Sequence, residues 1–462
     1  MTIQVSSPNL PTNGSTVKAD RATYLSALTD CRGILTDKAF QPEVLSTLQT
    51  IRTQATSEVR SLSMPSKRDE EWRFTDLSPM LEMDFQSPDV MSSSITLDDL
   101  ASFVLPETSG RRLVFVNGQY APDLSETSNM AADMVATNLT QLEALPNSAE
   151  LIATYLNSQE GLEKTFTALN TSSFTDAAIV YVGKNVAAEL PIHLLFVSTA
   201  SEQAVISHPR CLIIAEANSE VSFVEDYVAV GDGTYFTNSV TEIWAKENAR
   251  ITHTRLQRDR PTAFHIGKTV VSQAKASHYT CNAINLGGKI FRHNLEVFQA
   301  GEATETVLDG LTLITGDQLA DTHSLIQYAK PHGTSHQVYK AIVDGHAHSV
   351  FNGKVTVPTA AQLTNAAQLN RNLLLSPKGR IDTKPQLEIV ADNVKCTHGA
   401  TVSQLDSDEV FYLQSRGIDA ERAQNLLIYA FAAEIIQNLP VPSLRDTLSR
   451  FVATMTGSST TF

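Results

Sequence analysis

The sequence predicts a mainly β protein whose core is a right-handed parallel β-helix, flanked by N-terminal and C-terminal α-helical regions. Two observations predict this fold class. Short β-rich runs follow one another across residues 177–405, and turns with Gly, Asn or Asp separate many of them. The same segment lacks a convincing helical pattern, and small or polar residues recur between its apolar ones, which favours stacked coils over a sandwich or barrel. A turn of about 24 residues, stacked at ~4.8 Å, would make a rod on the order of 45 Å long.

The N-terminal part of the chain is predicted to be a short leader followed by helices and a linker. Residues 1–18 are rich in Ser, Thr, Asn and Pro, a composition typical of disorder. Residues 19–110 are predicted to be a helical region and linker, because apolar residues recur at helical spacing before a Ser- and Asp-rich stretch. Within this region, Pro65 and Pro79 bracket a polar run that contains Trp72, which indicates an ordered connector.

Residues 111–176 are predicted to be a mixed α/β connecting region. The run RRLVFVNGQYAP has the pattern of two short strands joined by a tight turn at Asn117 and Gly118. Helical character returns in residues 138–170. The segment therefore leads from the N-terminal helices into the predicted β-helix.

Residues 406–462 are predicted to be a small helical unit. Gly417 closes a first short helix, and Asp419 can cap a second helix that ends at Pro440 and Pro442. Ser443 can cap a third helix, LRDTLSRFVATM. The helices carry more apolar surface than they can bury against each other, so we expect part of it to contact another surface.

Composition excludes several classes of function. The net charge of −15 argues against non-specific nucleic-acid binding and against a polybasic membrane anchor. There is no apolar run of about 18 residues, and the N-terminus lacks the apolar core of a signal peptide, so a cytoplasmic location is predicted. The chain also lacks a P-loop, so it has no recognisable apparatus for nucleotide hydrolysis. The cysteines are too scattered for a disulfide framework: Cys31, Cys211, Cys281 and Cys396.

The run DNVKCTHGATVSQLD carries the clearest candidate ligands. Cys396 and His398 are two residues apart in a predicted strand, so their side chains project to the same face. A thiolate and an imidazole are candidate ligands for zinc, copper or an iron–sulfur species, but two ligands make an incomplete site. The alternative is that Cys396 packs in the core and His398 is a polar residue with satisfied hydrogen bonds.

A second group of histidines comes earlier in the chain. His346 and His348 form another pair two residues apart, and His323, His332 and His336 precede them. One interpretation is a stand-alone metal-binding enzyme built on the His323–His348 cluster. The other is hydrogen bonding between imidazoles and neighbouring turns, because no fixed ligand spacing is met.

Several motifs resemble the SufB/SufD family of iron–sulfur cluster assembly proteins. The resemblance runs from about Lys67 to about Leu439 and is carried by SKRDEEWRFTDLSPM, VFVNGQYAPDLS, TSHQVYKAIVDGHAHSVFNGKV, QLNRNLLLSPKGRIDTKPQLEI and CTHGATVSQLDSDEVFYLQSRGI. The chain resembles the SufD branch most. Asn370 stands in a strand where the SufB branch has a Cys, and Gly399 follows His398 where the SufB form has an acid.

The resemblance implies a parallel β-helix and a non-catalytic scaffold subunit that works with a SufB-like sister subunit and a SufC-like ATPase. It implies that His398 is a ligand to a transient iron–sulfur cluster at the junction with the sister subunit, and that Cys396 matches a nearby family Cys that is a second candidate ligand. It implies that the C-terminal helical unit docks the ATPase, for which the candidate residues are Leu426, Leu427, Phe431 and Ile435. Reduced flavin is implied only for the whole complex, no cofactor is expected in the isolated chain, and a homodimer is an expectation for the chain alone.

Overall fold

The β-rich segment folds into a parallel β-solenoid of about 8 turns. It is seen in a computed structural model that describes residues 20–31, 35, 40–88, 95–142, 145, 147–161, 164–200 and 202–453. The fold class predicted from the sequence is confirmed, with helical regions at both ends. The predicted leader and the last nine residues of the predicted C-terminal region (454–462) lie outside the described residues.

Strands of about 10 residues make the later turns, and shorter strands begin the stack. In chain order the strands are β1 (Arg112–Val116), β2 (Gln119–Tyr120), β3 (Met134–Asn138), β4 (Ala178–Val182), β5 (Ile192–Thr199), β6 (Val205–Ser207), β7 (Arg210–Ala215), β8 (Glu220–Val230), β9 (Tyr235–Ala245), β10 (Arg250–Gln257), β11 (Phe264–Gln273), β12 (His278–Asn285), β13 (Ile290–Gln299), β14 (Glu305–Ile314), β15 (Leu319–Tyr328), β16 (Thr334–Val343), β17 (His348–Val357), β18 (Asn365–Leu374), β19 (Arg380–Ile389) and β20 (Lys395–Gln404).

Two sheets face each other across the interior of the solenoid. Sheet I has the order β2-β1-β5-β8-β10-β12-β14-β16-β18-β20, and sheet II has the order β19-β17-β15-β13-β11-β9-β7-β4-β3, with β6 paired to β9. From β7 onward, successive strands of the chain alternate between the sheets, so each full turn returns to the strand two positions earlier. The sheets already begin in the segment predicted to be a connecting region, because β1 pairs with β5 and β3 pairs with β4.

Each turn is longer than the sequence rhythm predicted. In sheet I, Thr334 pairs with Asn365 and Asn365 pairs with Lys395. One turn therefore takes about 30 residues rather than about 24. The estimate from the sequence was too short because each turn contains two full strands and also two corners.

One corner of the solenoid is a stack of residues in the left-handed backbone region. The early turns place asparagines there, and Asn218 and Asn248 each donate a side-chain hydrogen bond to the asparagine one turn earlier, over 2.9 and 3.0 Å. Asn tolerates this conformation better than other residues with a Cβ atom. The later turns place other residues at the same corner, ending with Leu363 at φ 60°. The full series is Asn185, Asn218, Asn248, Ala276, Ala303, His332 and Leu363.

The interior between the sheets is the main hydrophobic core. It combines inward-facing side chains of both sheets, for example Phe223 and Tyr279 of sheet I with Ile243 and Val355 of sheet II. In each strand, alternate side chains point inward, which follows from the period of two. This interior is called the lumen below.

Helices cover the outer faces of both sheets. The described helices are α1 (Arg21–Asp30), α2 (Pro42–Ser61), α3 (Ser78–Leu81), α4 (Ser148–Tyr155), α5 (Thr165–Ser173), α6 (Ser407–Ser415), α7 (Ala420–Ile436) and α8 (Pro442–Ala453). N-terminal helices pack against sheet II through residues such as Leu25, Leu48 and Phe166. Helices α7 and α8 pack against sheet I through residues such as Ile428 and Leu448. None of these described helices is long and apolar enough to cross a membrane.

Asp419 and Gly417 occupy the places predicted for them at the helix boundaries. Asp419 caps α7 by accepting a hydrogen bond from the backbone of Arg422, and Gly417 has φ 87° just after α6. The prediction that Ser443 caps the last helix was wrong. Helix α8 begins one residue earlier, at Pro442, and proline suits the first helical position. The carboxylate of Glu107 instead accepts hydrogen bonds from the backbone N–H and the hydroxyl of Ser443.

The hairpin predicted near the start of the sheets is present. β1 and β2 pair in antiparallel fashion, with Phe115 opposite Tyr120. Asn117 and Gly118 form the turn with φ values of 51° and 81°. Positive φ at both positions is the geometry that favours Asn-Gly in tight hairpins.

Candidate functional site

The solenoid ends on two strands that lie at the edges of their sheets. β20 is the last strand of sheet I and β19 is the last strand of sheet II. Most residues of β20 are exposed, whereas most residues of β14 are buried. The chain continues from β20 into α6 rather than into another turn, so inward-facing side chains of the last turn reach solvent. The surface formed by β19 and β20 is called the open end.

Cys396 lies on β20 at the rim of the lumen. It pairs in register with Ala366 of β18 and packs, partly buried, against the hydrophobic core of the lumen. Burial raises the pKa of its thiol, although a hydrogen bond with the backbone of Ala366 lowers it. The thiol is therefore protonated at neutral pH until a metal or another positive charge draws off the proton.

His398 lies two residues further along the same strand and is exposed. It pairs in register with Gln368 of β18, and its side chain projects to the same face as Cys396. No hydrogen bond or ion pair engages its ring among the residues that the structure describes. Its two ring nitrogens are consequently available to an external ligand.

The two side chains can supply one sulfur and one nitrogen ligand to a soft metal centre. Among the described residues, no group of three or more His, Cys, Asp or Glu side chains is arranged to hold a metal ion. The open end therefore presents at most part of a coordination site. Any remaining ligands would have to come from outside the described residues.

His346 and His348, the two secondary candidate ligands, each lie near a different aspartate. His348 Nε2 lies 2.7 Å from a carboxylate oxygen of Asp382, and burial lowers the pKa of this histidine more than Asp382 raises it. His346 is exposed and lies 3.9 Å from Asp317. These contacts use the imidazoles locally, one at a turn and one at the start of β17.

His323 holds the N-terminal connector on the outer face of sheet II. Its ring lies 2.9 Å from Asp321 and 3.4 Å from Glu71 of the connector. The guanidinium of Arg292 stacks over Trp72 at 3.9 Å from the ring centre and pairs with Asp321. One interpretation of the sequence places His323 and His348 in one metal-binding cluster. In the structure, His323 instead contacts the N-terminal connector through Glu71.

A buried polar cluster in the middle of the lumen was missed by the sequence analysis. His253 Nε2 lies 2.9 Å from Glu225, and its Nδ1 lies 2.9 Å from the Tyr279 hydroxyl and 3.9 Å from the Cys281 sulfur. Burial lowers the pKa of His253, but Cys281 and Glu225 outweigh that effect and raise it to about 9. The only signal in the sequence was that these residues fall at inward positions of adjacent turns, which requires the register to be known.

The four predicted docking residues on α7 differ in their exposure to solvent. Leu426 is 48% exposed and Leu427 is half-buried, whereas Ile435 is fully buried against sheet I. Phe431 is half-buried, with the ammonium group of Lys340 4.6 Å from its ring centre. Ile435 thus holds the helix on the sheet and offers no surface to a partner.

The exposed apolar surface of the helical unit lies largely on a residue pair that the sequence analysis did not select. Phe411 is 71% exposed and Tyr412 is 57% exposed, both on α6. Large exposed aromatic side chains, on the same helical unit as the exposed Leu426, are typical of an interaction surface. Phe411, Tyr412 and Leu426 are called the aromatic patch below.

Comparison with known protein families matches most of the described chain. Residues 196–431 match the family described as "SUF system FeS cluster assembly, SufBD core domain". Residues 21–194 match the family described as "SufBD protein N-terminal region". The boundary between the two matches falls within β5 of the solenoid.

Individual relatives carry related names. An iron–sulfur cluster assembly SufBD family protein of Synechocystis sp. is 43% identical over 91% of this chain and 98% of that protein. The chloroplastic protein ABCI7 of Arabidopsis thaliana is 34% identical over 86% of this chain and 84% of that protein. The iron–sulfur cluster assembly protein SufD of Escherichia coli is 30% identical over 83% of this chain and 87% of that protein.

Proposed function

Since the chain belongs to the SufBD family of iron–sulfur cluster assembly proteins, we propose that it is a SufD-like scaffold subunit in de novo cluster assembly. In this proposal the subunit contributes one interfacial ligand and performs no catalysis of its own. The observation that carries the proposal is the open end, where an exposed His398 lies two residues from Cys396 and has no hydrogen bond or ion pair within the described part of the chain.

The open end also supports the proposed sister subunit. Its edge strands leave backbone N–H and C=O groups unpaired, and such edges pair readily with strands of another chain. Ile389 and Val402 are apolar there and are 40% and 49% exposed. A SufB-like subunit that covers this surface would bury apolar area and bring further ligands to His398.

The transient iron–sulfur cluster is the product that the complex builds and passes on. His398 would provide an imidazole nitrogen, and Cys396 would provide a thiolate once its proton is displaced. The partner would supply the other ligands, because the described residues hold no complete set. Reduced flavin remains a proposal for the whole complex.

The aromatic patch supports docking of a SufC-like ATPase. The patch lies on α6 and α7, next to β20 in the chain, so a partner that binds it would be connected directly to the open end. ATP hydrolysis is assigned to that partner. We also propose that the protein works in the cytoplasm, without nucleic acid or membrane as a partner, and that it forms a homodimer when the sister subunit is missing.

Co-expression with a SufB-like subunit and a SufC-like ATPase, followed by anaerobic purification and absorption spectroscopy, tests the proposal as a whole. We expect a ternary complex with an iron–sulfur chromophore that the chain alone does not carry. Recovery of the chain alone with stoichiometric, tightly held metal would favour the stand-alone metal enzyme instead.

The docking surface can be tested separately by a double variant, Phe411→Ala with Leu426→Ala. We expect loss of co-purification with the ATPase while the sister subunit is still bound, because the patch residues are exposed and hold no core contact. Leu97→Ala is a matched control, since Leu97 is 49% exposed but lies in the N-terminal region. Undiminished ATPase binding by the double variant would exclude this surface.

A further inference from the structure

A buried glutamine lies one turn beneath the candidate ligand, and its side-chain amide has no hydrogen-bond partner among the residues that the structure describes. Gln368 is 3% exposed, and neither its amide nitrogen nor its amide oxygen is paired among the described residues. Its backbone is in register with His398 of the next turn. Leaving a buried amide unpaired destabilises a folded chain, so such a group points to a partner that is yet to bind.

The side chain of Gln368 points into the lumen and is accommodated by a glycine on the opposite sheet. A Cβ atom placed on Gly353 of β17 would lie 2.0 Å from the amide nitrogen of Gln368 and 2.8 Å from the ring of Phe351. Phe351 belongs to the lumen core. Because Cys396 also packs against that core, Gln368 and His398 project from adjacent strands on the same inward face.

A histidine that binds a metal through one ring nitrogen usually donates the other ring N–H to an acceptor, which fixes the orientation of the ring. Adjacent strands are about 4.8 Å apart, a separation that lets a long side chain bridge in-register positions. The asparagine ladder in the corner of this same solenoid shows side-chain amides bonding from one turn to the next. The unpaired oxygen of Gln368 is the buried acceptor that lies nearest in register to His398.

We propose that Gln368 is a positioning residue for His398. When His398 binds a metal centre at the open end, the amide oxygen of Gln368 accepts the N–H of the ring nitrogen that is not bound to metal. Gly353 leaves the amide free to turn toward the ring. The inference rests on the proposed ligand role of His398, and it assigns a role to a residue that touches the ligand rather than the metal.

The test measures binding of Co²⁺ alone to the full chain under anaerobic conditions, by titration calorimetry and by the thiolate-to-cobalt absorption band. His398→Ala and Cys396→Ser identify the part of the signal that belongs to the open end. We expect Gln368→Met, which keeps the side-chain volume, to weaken this binding about 10-fold or more, as loss of an outer-shell partner does. Gln368→Glu retains an acceptor and should restore the affinity. Gly353→Ala should weaken binding by displacing the amide.

The matched control is Gln299→Met. Gln299 also faces the lumen, but its amide nitrogen donates to Thr306 and Thr334 and its oxygen accepts from Thr304. That variant should lose stability and keep its cobalt affinity, whereas Gln368→Met should lose affinity and keep its stability. A merely structural role for Gln368 would give the opposite result for stability.

Equal cobalt affinity in Gln368→Met and the unmodified chain would overturn the inference and leave the scaffold function untouched. Equal binding by His398→Ala and the unmodified chain would also overturn it, because the ring would then be no ligand. Failure of the co-expressed complex to form a cluster, with cobalt binding that still depends on Gln368, would reject the scaffold function alone.

Discussion

The middle of the solenoid and its open end carry the same kinds of side chain in opposite environments. In the middle, His253 and Cys281 are fully buried, and His253 contacts Glu225 and Tyr279. At the open end, Cys396 is only partly buried, and His398 is exposed and has no hydrogen-bond or ion-pair partner in the described ranges. In both places the side chains point inward from strands of sheet I.

This difference shows that position in the stack decides what a histidine and a cysteine do. A turn in the middle has neighbours above and below, which provide hydrogen bonds and exclude water. The last turn has a neighbour on one side only, so its inward side chains stay accessible. Under the proposed function, ligand chemistry would lie where the fold stops, and the same residue types would contribute stability where the fold continues.

The largest effect is expected from His253→Ala in the middle of the lumen. Removing the imidazole breaks the buried pair with the Glu225 carboxylate, which keeps its hydrogen bonds from Tyr227 and Thr241, and should lower the free energy of unfolding by about 3 kcal/mol. Urea denaturation followed by circular dichroism measures the loss. His398→Ala is the comparison variant, with an expected change within about 0.5 kcal/mol because its ring is exposed and makes no hydrogen bond or ion pair among the described residues. Equal losses in the two variants would abolish the distinction between the regions.

The pH dependence of stability around neutral pH should be set by the buried pair of His253 and Glu225 rather than by residues of the open end. The pKa of His253 is raised to about 9 in the folded chain, so its contribution is complete below about pH 6.5, its unfolded value, and is lost as pH rises through about 9. The loss should amount to about 3 kcal/mol. Burial raises the pKa of Glu225, but His253 and other neighbours lower it to about 2, so its contribution is lost as pH falls from about 4.5 toward 2.

Urea denaturation between pH 5 and 10 checks this expectation. The unmodified chain and Cys396→Ser should show the same decline between about pH 6.5 and 8, because the raised pKa of the Cys396 thiol affects stability only at higher pH. His253→Ala should show a flatter profile between about pH 6.5 and 9. A decline that persists unchanged in His253→Ala would mean that another group causes it.

A smaller effect is expected at the corner that links the early and the last turns. Leu363 adopts φ 60° and is 48% exposed, whereas the early turns place asparagines at this corner. Leu363→Asn should stabilise the chain by about 1 kcal/mol, because Asn tolerates the left-handed conformation better. The midpoint of urea denaturation measures the gain.

Leu190→Asn is the control for this substitution. Leu190 is similarly exposed, at 40%, but it is not among the described residues with positive φ. Its replacement should leave the midpoint almost unchanged. A similar gain in both variants would attribute the effect to the removal of an exposed leucine rather than to the backbone.

The sequence was sufficient for the architecture because the solenoid repeats a local pattern many times. Strand runs, the Asn117–Gly118 turn and the Asp419 cap each follow from local rules, and all are present. The turn length was underestimated because the corners carry no strong signal of their own. The sequence did not predict that β1 and β3 pair with strands of the solenoid, because their partners are distant in the chain.

The candidate site was predictable only in part for the same reason. Cys396 and His398 are neighbours in the sequence, so strand alternation alone places them on one face. Gln368 is 30 positions before His398, and its relation to that residue appears only once the register of β18 and β20 is fixed. The sequence predicts Ile435 as a docking residue because it shows that the residue is apolar. It does not show that sheet I buries this side chain.

The most direct test of the account compares His398→Ala with His336→Ala in the co-expressed complex with the SufB-like and SufC-like partners. His336 is also an exposed histidine of sheet I, but it lies on β16, two strands away from the open-end strand β20. Anaerobic absorption and Mössbauer spectroscopy of the purified complexes measure the cluster. The account predicts that both complexes assemble, that His336→Ala carries the cluster and that His398→Ala does not. A His398→Ala complex with as much cluster as the unmodified one would contradict the claim that the open end provides the ligand.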